Sequence, residues 1–536
     1  MRSKACPFLV SLLLPAALLF GMGTAANAED AHAKMDMPAK GPAAASHWTR
    51  WSDPASWPDG KVPGAGDAVT IGKDKAIVLD VSPPELRSLT IDGKLSFADA
   101  RDLSLTTDWI YLPGGELDIG SAAKPYTHKA TITLTDKVPN EDINTMGDRG
   151  IMMLGGTLNL HGDRTNSWTK LAGTAQAGSS RIAVLNAAGW RKGDVIVLAS
   201  TDYDPHQAEE RTIAGISGNT ITLDKPLQYM HYGQITYGVD ERGEVGMLTR
   251  NILIQSSPDS EKTFFGGHIM AMAGSKMYLS GIELNRMGQY MHLARYPIHW
   301  HLVGDGGQGQ YIQDSSIHDT YSRCVTVHGT NDVRVQNNVT YNNVGHCFFL
   351  EDAVETGNQI IHNLAILTKC HPDGKPCEPT DLGPFGAETD GKNFKLAGQD
   401  AKDILIPSDN TASSFWITNP DNTYVGNVAA GSEATGFWLA LPDHPTGLHH
   451  DDNYWPRRMR VREFRDNTAH SNFDGFMFDR GPRQDGHFGP GGHMAYANPA
   501  DAKSPIVETV YQDLTSYKHR NSGLWARGEL DTFKDL

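Results

Sequence analysis

The chain is short of charge, of cysteine and of long apolar runs, and each shortage excludes a class of protein. Charged residues make up 21% of the 536 positions, and the formal net charge is −16. A nucleic-acid-binding protein usually carries a basic surface, so we expect no nucleic acid among its partners. The same negative charge opposes a polyanionic substrate unless a metal or local positive charge offsets it. A hydrophobic content of 39% is nevertheless too high for a disordered chain.

The long apolar run that does occur lies at the N-terminus. Arg2 and Lys4 precede an apolar stretch over residues 7–20, which is too short to span a bilayer as a good helix, and residues 26–28 are Ala-Asn-Ala. This pattern predicts a cleaved signal peptide over residues 1–28, with a retained anchor as the alternative. We therefore expect a secreted, periplasmic or extracellular protein without a membrane span. Removal of Arg2 and Lys4 makes the mature net charge −18.

The cysteines are few, and an exported chain can oxidise them. Cys6 leaves with the signal peptide, and Cys324, Cys347, Cys370 and Cys377 remain. Cys370 and Cys377 flank a His-Pro-Asp-Gly turn, which predicts a local disulfide. Zinc binding by this pair is the weaker alternative, because the spacing is unusual for a zinc finger.

Helical periodicity is scarce from Trp48 onward, whereas short alternating runs are frequent. Residues 68–71, 88–92, 131–135 and 157–160 are such runs, and Gly, Asp and Pro separate them at intervals of about ten residues. This pattern is typical of an all-β protein.

The C-terminal half repeats a unit made of a short strand, a polar turn ending in Gly and a second strand. The unit recurs at residues 338–350, 427–439, 467–478 and 514–525. Repeats separated by tens of residues indicate a solenoid, and strands without intervening helices indicate a parallel β-helix. A β-propeller is the alternative, and the uneven spacing fits it less well because propeller blades have ~40 residues.

A column of histidines accompanies these repeats. His299 and His301 are two residues apart, so both point to one face of a strand. When the strands are aligned by their apolar residues, Cys324 falls opposite Cys347, and His301, His328 and Glu351 fall in one column. The apolar positions used for this alignment are Ile298/Trp300, Val325/Val327 and Phe348/Leu350.

Imidazoles and a carboxylate are ligands for zinc, iron, manganese or nickel, so the column predicts a divalent transition-metal site. The predicted ligands are His299, His301, His328 and Glu351, with His346 as a substitute or supporting ligand. The alternative is a polar ladder that holds no metal.

Other polar residues near these motifs are candidates for catalysis and substrate binding. Asp305 and Asp352 flank the column and could move a proton, although solvated carboxylates are the alternative. Arg457, Arg458 and Arg460 form a basic stripe that could bind sugar carboxylates, with ion pairs to nearby acids as the alternative. Two further residues are candidate substrate contacts: Arg295, beside the histidine motif, and Trp438, as a stacking face for a sugar ring.

Acidic residues also cluster at Asp202, Asp204, Glu209 and Glu210. Paired carboxylates can cleave glycosidic bonds or bind calcium, but we favour an ordinary polar loop here.

Several longer motifs resemble one known family. They are Trp51–Trp57, Gly60–Gly66, Ala199–Asp204, Gln207–Ile213, Arg286–Gln289, Arg295–Leu302, Arg323–Thr330, Gly345–Asp352, Ala430–Glu433 and Gly436–Trp438. Together they are similar to the cell migration-inducing hyaluronan-binding protein and the transmembrane cell-surface hyaluronidase, and more distantly to fibrocystin-like proteins. The resemblance extends from about Trp48 to Gly528.

The resemblance implies a G-eight domain over residues 47–170, followed by a right-handed parallel β-helix over 251–536. Between them, alternating runs at residues 181–185, 194–198 and 219–223 predict a β elaboration over 171–250. Residues 29–46 lack periodicity and are expected to form a flexible tether. The family's animal members continue beyond the point where this chain stops and carry lectin-like modules that are not found here, so the substrate can differ.

The leading hypothesis is an exported protein that depolymerises or binds hyaluronan or a similar acidic polysaccharide at a metal-dependent site. The family associates its hydrolase activity with calcium, whereas the histidine column favours a transition metal. Glycoside hydrolysis and elimination by a polysaccharide lyase both stay open. A non-catalytic carbohydrate-binding or adhesion protein is the second hypothesis, and a metalloenzyme with oxidative chemistry is a weaker third.

Overall fold

The computed structural model describes residues 47–370, 408, 411–484, 488–489 and 491–536. The signal peptide and tether predictions fall outside these residues, as does Cys377. Within the described part, helices are minor. They are the α-helix Ser260–Thr263 and the short 3-10 turns Pro54–Ser56, Ile143–Thr145, Pro205–Gln207, Asp305–Gly307, Gly447–His449 and Pro456–Arg458. None of the described helices is long and apolar enough to cross a membrane.

Most of the chain forms three long parallel sheets, which we call sheets A, B and C. Sheet A has thirteen strands: Trp48–Arg50, Ala76–Leu79, Lys94–Phe97, Glu116–Ile119, Thr157–His161, Lys276–Ser280, Tyr311–Gln313, Arg334–Gln336, Gln359–Ile361, Thr423–Val425, Glu463–Arg465, Thr509–Gln512 and Asp531–Lys534. Sheet B has twelve: Ala68–Ile71, Ser88–Ile91, Ile110–Leu112, Gly150–Met153, His268–Met272, Ile298–Gly304, Val325–Thr330, Phe348–Leu350, Ser413–Ile417, Thr435–Leu439, Asp474–Phe478 and Ser522–Ala526. Sheet C has ten: Leu103–Thr107, Ala130–Leu134, Ile252–Ser256, Ile282–Asn285, Ser316–His318, Val339–Val344, Leu364–Lys369, Val428–Ser432, Thr468–His470 and Thr515–Tyr517.

The chain visits the sheets in turn, so each circuit adds one rung to a parallel β-helix. The alternation of apolar and polar residues along each strand produces this arrangement, because every second side chain points into one shared core. Ala130, Ile132 and Leu134 are such inward residues, and all three are buried. The prediction of an all-β protein with a parallel β-helix is therefore confirmed.

The N-terminal strands belong to the same three sheets as the later ones. Gly150–Met153 pairs in parallel with His268–Met272, and Ala130–Leu134 pairs in parallel with Ile252–Ser256. The two halves of the β-helix are thus continuous across a long insertion.

The insertion forms a six-stranded antiparallel sheet with its own small core. Its strands, in spatial order, are Trp168–Lys170, Glu244–Met247, Val195–Leu198, Glu209–Ser217, Thr220–Leu223 and Arg181–Ala183. Val197 and Ala199 pack against Val339 and Leu364 of sheet C, which fixes the inserted sheet on the outside of the β-helix. Two-residue strands complete the described structure: Ile235–Thr236 with Val239–Asp240, and Gly481–Pro482 with Phe488–Gly489.

Covalent and amide links join successive rungs. Cys324 and Cys347, which alignment of the strands placed opposite each other, form a disulfide. Cys370 is also disulfide-bonded, whereas Cys377, its expected partner, lies outside the described residues. Buried asparagines stack in a ladder, in which Asn338 donates to Asn363 and Asn363 donates to Asn427, each at 3.0 Å. These links keep the rungs in fixed register.

Candidate metal centre

Sheet B brings the predicted histidines together. Ile298–Gly304 and Val325–Thr330 pair in parallel with His301 opposite His328. The next strand continues this register with Leu350 opposite Val327, and Glu351 follows directly. The strand alignment inferred from the apolar residues is therefore the alignment of the structure.

Three imidazole nitrogens converge on one point. His301 Nδ1 lies 3.3 Å from His299 Nε2 and 3.0 Å from His328 Nδ1, and all three side chains are fully buried. Nitrogens bonded to one tetrahedral zinc at 2.0–2.1 Å lie roughly 3.3 Å apart, so the observed spacings suit a shared cation. Glu351 Oε2 lies 3.8 Å from His299 Nε2 and 3.7 Å from His328 Nδ1, within reach as a fourth ligand.

The hydrogen bonds on the far sides of two rings determine which nitrogens face the centre as acceptors. His299 Nδ1 lies 3.1 Å from the Ala294 carbonyl oxygen, which can only accept, so the proton belongs on Nδ1. His328 Nε2 lies 3.0 Å from Asp352 Oδ2, which places the proton of that ring on Nε2. The lone pairs of His299 Nε2 and His328 Nδ1 therefore point inward, as metal coordination requires.

Asp352 links the centre to a histidine that the sequence did not single out. His449, on the turn Gly447–His449, places Nδ1 2.8 Å from the same Oδ2 that contacts His328. Burial raises the pKa of Asp352, but His328 and His449 outweigh it and lower that pKa to about 2. Asp352 is thus an ionised acceptor for two imidazoles. The three side chains also lie close enough to hold a metal, but only if the two nitrogens that face Asp352 were deprotonated.

His449 escaped notice because it lies 97 residues from Asp352 and outside the repeated strands. A pair of adjacent histidines, His449 and His450, was the available signal. Glu355, three residues after Asp352, was missed as well. Its Oε1 accepts hydrogen bonds from the backbone N–H groups of Gly329 and Asp352 at 2.8 and 3.0 Å, which hold the end of the histidine strand in place.

Two predicted site residues lie away from the imidazoles. Asp305 is exposed on the turn that follows the His301 strand, and its Oδ1 accepts a hydrogen bond from Asn331 at 2.8 Å. Whereas Glu351 follows the strand Phe348–Leu350, His346 lies before it. Its Nε2 contacts the Ser408 carbonyl oxygen at 2.8 Å, and its ring stacks on Trp416 with centroids 4.2 Å apart.

The predicted substrate contacts Arg295 and Trp438 are buried. Arg295 donates from Nη2 to the Thr145 carbonyl oxygen at 3.1 Å. Trp438 donates from Nε1 to the Asp479 carbonyl oxygen at 3.0 Å and is stacked on Phe488 with centroids 5.0 Å apart. Both faces of this indole belong to the packed interior, so the described structure leaves it no sugar-facing surface.

The basic stripe is partly neutralised by its surroundings. Arg457 pairs with Asp443 at 2.8 Å and donates to the Leu441 carbonyl oxygen. Arg458 stacks over the Trp455 ring at 3.5 Å, and Arg460 is exposed.

Fold and site together define a class: a parallel β-helix with a buried cluster of histidines on one sheet. Residues 264–477 match the family model described as the CEMIP β-helix, and residues 56–172 match that of the G8 domain. The chain therefore belongs to the family of proteins that join a G8 domain to a CEMIP-type β-helix. The candidate metal ligands, Asp352 and His449 all lie within the β-helix match.

Relatives share about a third of the residues with this chain. Mouse fibrocystin-L is 35% identical over 78% of this chain and 10% of its own length. Human cell surface hyaluronidase CEMIP2 is 35% identical over 64% of this chain and 27% of its own length. Communication mutant protein F of Dictyostelium discoideum is 32% identical over 82% of this chain and 38% of its own length. The chain thus spans well under half the length of these relatives.

Proposed function

We propose that this protein acts on an acidic polysaccharide such as hyaluronan, at a transition-metal centre held by His299, His301, His328 and Glu351. The main observation in support of a metal is that lone pairs of His299 and His328 point inward. Hydrogen bonds to Ala294 and Asp352 fix this orientation. The similarity to a relative named a cell surface hyaluronidase supports the choice of substrate.

The donor chemistry favours zinc or a similar metal over calcium. Calcium takes six to eight oxygen ligands, whereas three of the four candidate ligands here are nitrogen. Such a metal, when bound, supplies positive charge that polarises an oxygen and offsets a uronate carboxylate in a protein of net charge −16.

The side chains around the centre have separate roles in this proposal. Asp352 positions His328 and His449 through its shared Oδ2. Glu351 is the ligand that reaches solvent, with its side chain 11% exposed, so substrate approaches from its side. Asp305 stays a candidate for moving a proton, on the exposed turn that follows the same strand.

A non-catalytic carbohydrate-binding role is the second candidate. Full burial of His299, His301 and His328 favours it, because structural metal sites are closed whereas catalytic sites keep an open position.

Metal analysis and hyaluronan sizing on the same preparations test the proposal. We expect a stoichiometric transition metal and a falling polymer size with the wild-type protein. Treatment with a chelator and the His301→Ala variant should each remove the metal and lower activity at least 100-fold, an effect of the size expected when a catalytic ligand is lost. His128→Ala changes a half-exposed histidine paired with Asp99 and serves as the control.

The products separate the remaining alternatives. New reducing ends without ultraviolet absorption indicate hydrolysis, and absorbing unsaturated ends indicate elimination. Saturable binding with unchanged polymer size under every metal would reject cleavage and favour the binding role. A wild-type protein free of metal that still shortens hyaluronan would reject the metal centre.

A further inference from the structure

The outer face of sheet A carries a row of two aromatic residues and one basic residue. Tyr278, Tyr311 and Arg334 occupy the same register position in three successive strands. The two tyrosine rings have centroids 5.7 Å apart, and the Arg334 guanidinium lies 5.2 Å from the centroid of the Tyr311 ring. All three side chains are partly exposed, so the row presents two aromatic groups and a cation to solvent.

Arg334 has a different charge environment from three other arginines of the chain. Arg457, Arg462 and Arg465 pair with Asp443, Asp421 and Glu463. Among the described residues, Arg334 forms no ion pair, and its charge acts on Asp314 only at longer range. Its Nη2 donates to Gln313 Oε1 at 3.1 Å, and its Nε has no hydrogen-bond partner in the described structure. In an acidic protein, such a guanidinium is suited to an external anion.

A pocket of about 290 Å³ adjoins this cation. Its lining includes Gln308, Asp332, Arg334 and Gln359. The amide and carboxylate groups can bind the hydroxyls of a sugar, and the guanidinium can bind its carboxylate. The pocket lies at the turns that lead from sheet B to sheet A. Six residues separate His328 from Arg334, so their backbones are at most about 20 Å apart.

We propose that this pocket, with Tyr278, Tyr311 and Arg334, is a uronate-binding subsite that holds the polysaccharide beside the metal centre. The tyrosine faces stack on sugar rings, and the Arg334 guanidinium pairs with a uronate carboxylate. This inference rests on the proposed function, because it assumes an acidic glycan. Such a substrate needs local positive charge in this acidic protein, and the Arg334 guanidinium on sheet A would supply it.

The test measures binding by calorimetry on chelator-treated protein, so that cleavage and metal do not contribute. The probes are a hyaluronan hexasaccharide and the uncharged hexamer of N-acetylglucosamine. Arg334→Gln should weaken hyaluronan binding at least 10-fold, as expected for loss of a charge-assisted contact, and change binding of the neutral hexamer less than 2-fold. Arg334→Lys, which keeps the charge but not the planar fork, should fall between wild type and Arg334→Gln. Arg181→Gln, on an exposed strand of the inserted sheet, is the control.

The outcomes distinguish this subsite from the proposed function. Equal hyaluronan affinity of wild type and Arg334→Gln, or no binding of the hexasaccharide by wild type, would overturn the subsite even if the enzyme cleaves polymer. Loss of binding in Arg334→Gln with no cleavage by wild type would support the subsite and reject the enzyme. Tyr311→Ala adds a second measure, because loss of a stacking face should weaken both hexamers.

Discussion

Two buried histidine clusters in this molecule differ in how their charges balance. At the metal centre, three imidazole nitrogens face one another, and Glu351 is the carboxylate on their side. At the junction between the inserted sheet and the β-helix, His470 meets Glu244 at 2.9 Å, and both side chains are fully buried. In the first cluster, lone pairs of imidazole nitrogens point toward one another. In the second cluster, one imidazole pairs with one carboxylate.

Two basic side chains meet the carboxylate at the junction. Lys170 Nζ lies 3.5 Å from the other oxygen of Glu244, and Tyr517 stacks on the His470 ring with centroids 4.9 Å apart. Burial raises the pKa of Glu244, but His470 and Lys170 outweigh it, so the pKa is lowered. The comparison teaches that burial of histidine alone does not indicate a metal. What makes the first cluster a candidate metal centre is the inward direction of its lone pairs.

The largest expected effect is on folding, at the junction. Glu244→Ala leaves the buried His470 without its carboxylate, and breaking a buried pair in this way costs about 3–5 kcal/mol of unfolding free energy. Urea unfolding measures the loss, and metal analysis of the same sample should show an unchanged metal content.

Asp240→Ala is the matched control for this change. Asp240 is a partly exposed acid that pairs with Arg242 and with the same Lys170. Its removal should cost at most about 1 kcal/mol, as for other surface ion pairs. A loss of metal in Glu244→Ala without loss of stability would contradict the division of roles between the two clusters.

The different visibility of the two clusters in the sequence has a physical origin. The candidate metal ligands lie on neighbouring rungs. Inward residues such as Trp300, Val327 and Leu350 must stack on one another. The apolar pattern therefore sets the register of the histidines between them. Glu244 and His470 are separated by 226 residues and meet because an inserted sheet docks on sheet C. No periodic pattern describes that docking.

The same reasoning explains what was missed at the site itself. His449 and the lining of the Arg334 pocket lie on turns between sheets, where chain direction depends on backbone conformation rather than on alternation. The continuity of the N-terminal strands with the later rungs was also out of reach, because short alternating strands look alike in a separate β domain and in a solenoid.

Asp352 supports the candidate metal centre through its hydrogen bond with the outward nitrogen of His328. Asp352→Asn should lower metal affinity about 10–100-fold, because the amide no longer fixes the proton of His328 on Nε2 with a negative charge. Titration against a chelator of known affinity measures the change. Asp305→Asn alters an acid that contacts Asn331, so its metal affinity should equal that of wild type. A metal affinity unchanged by Asp352→Asn would place the metal, if bound, at other residues.

The last expected effect, on the pH dependence of stability, comes from another buried histidine, which resembles the junction rather than the candidate metal centre. His318 lies 2.8 Å from Asp319 and 3.3 Å from Glu283. Burial lowers the pKa of His318, but hydrogen bonds from the ring to Asp319 and Glu283 outweigh it and raise that pKa to about 9. The folded protein therefore holds the proton more tightly than the unfolded chain, whose histidine pKa is about 6.5.

The stabilisation due to protonated His318 is complete below about pH 6.5 and is lost as the pH rises through about 9. Urea midpoints of the wild type should fall across this window, and His318→Gln should flatten the decline. Because the pair needs no metal, chelator-treated protein should show the same slope. A slope that vanishes on chelation would assign the effect to the metal centre and remove the distinction between paired and converging histidines.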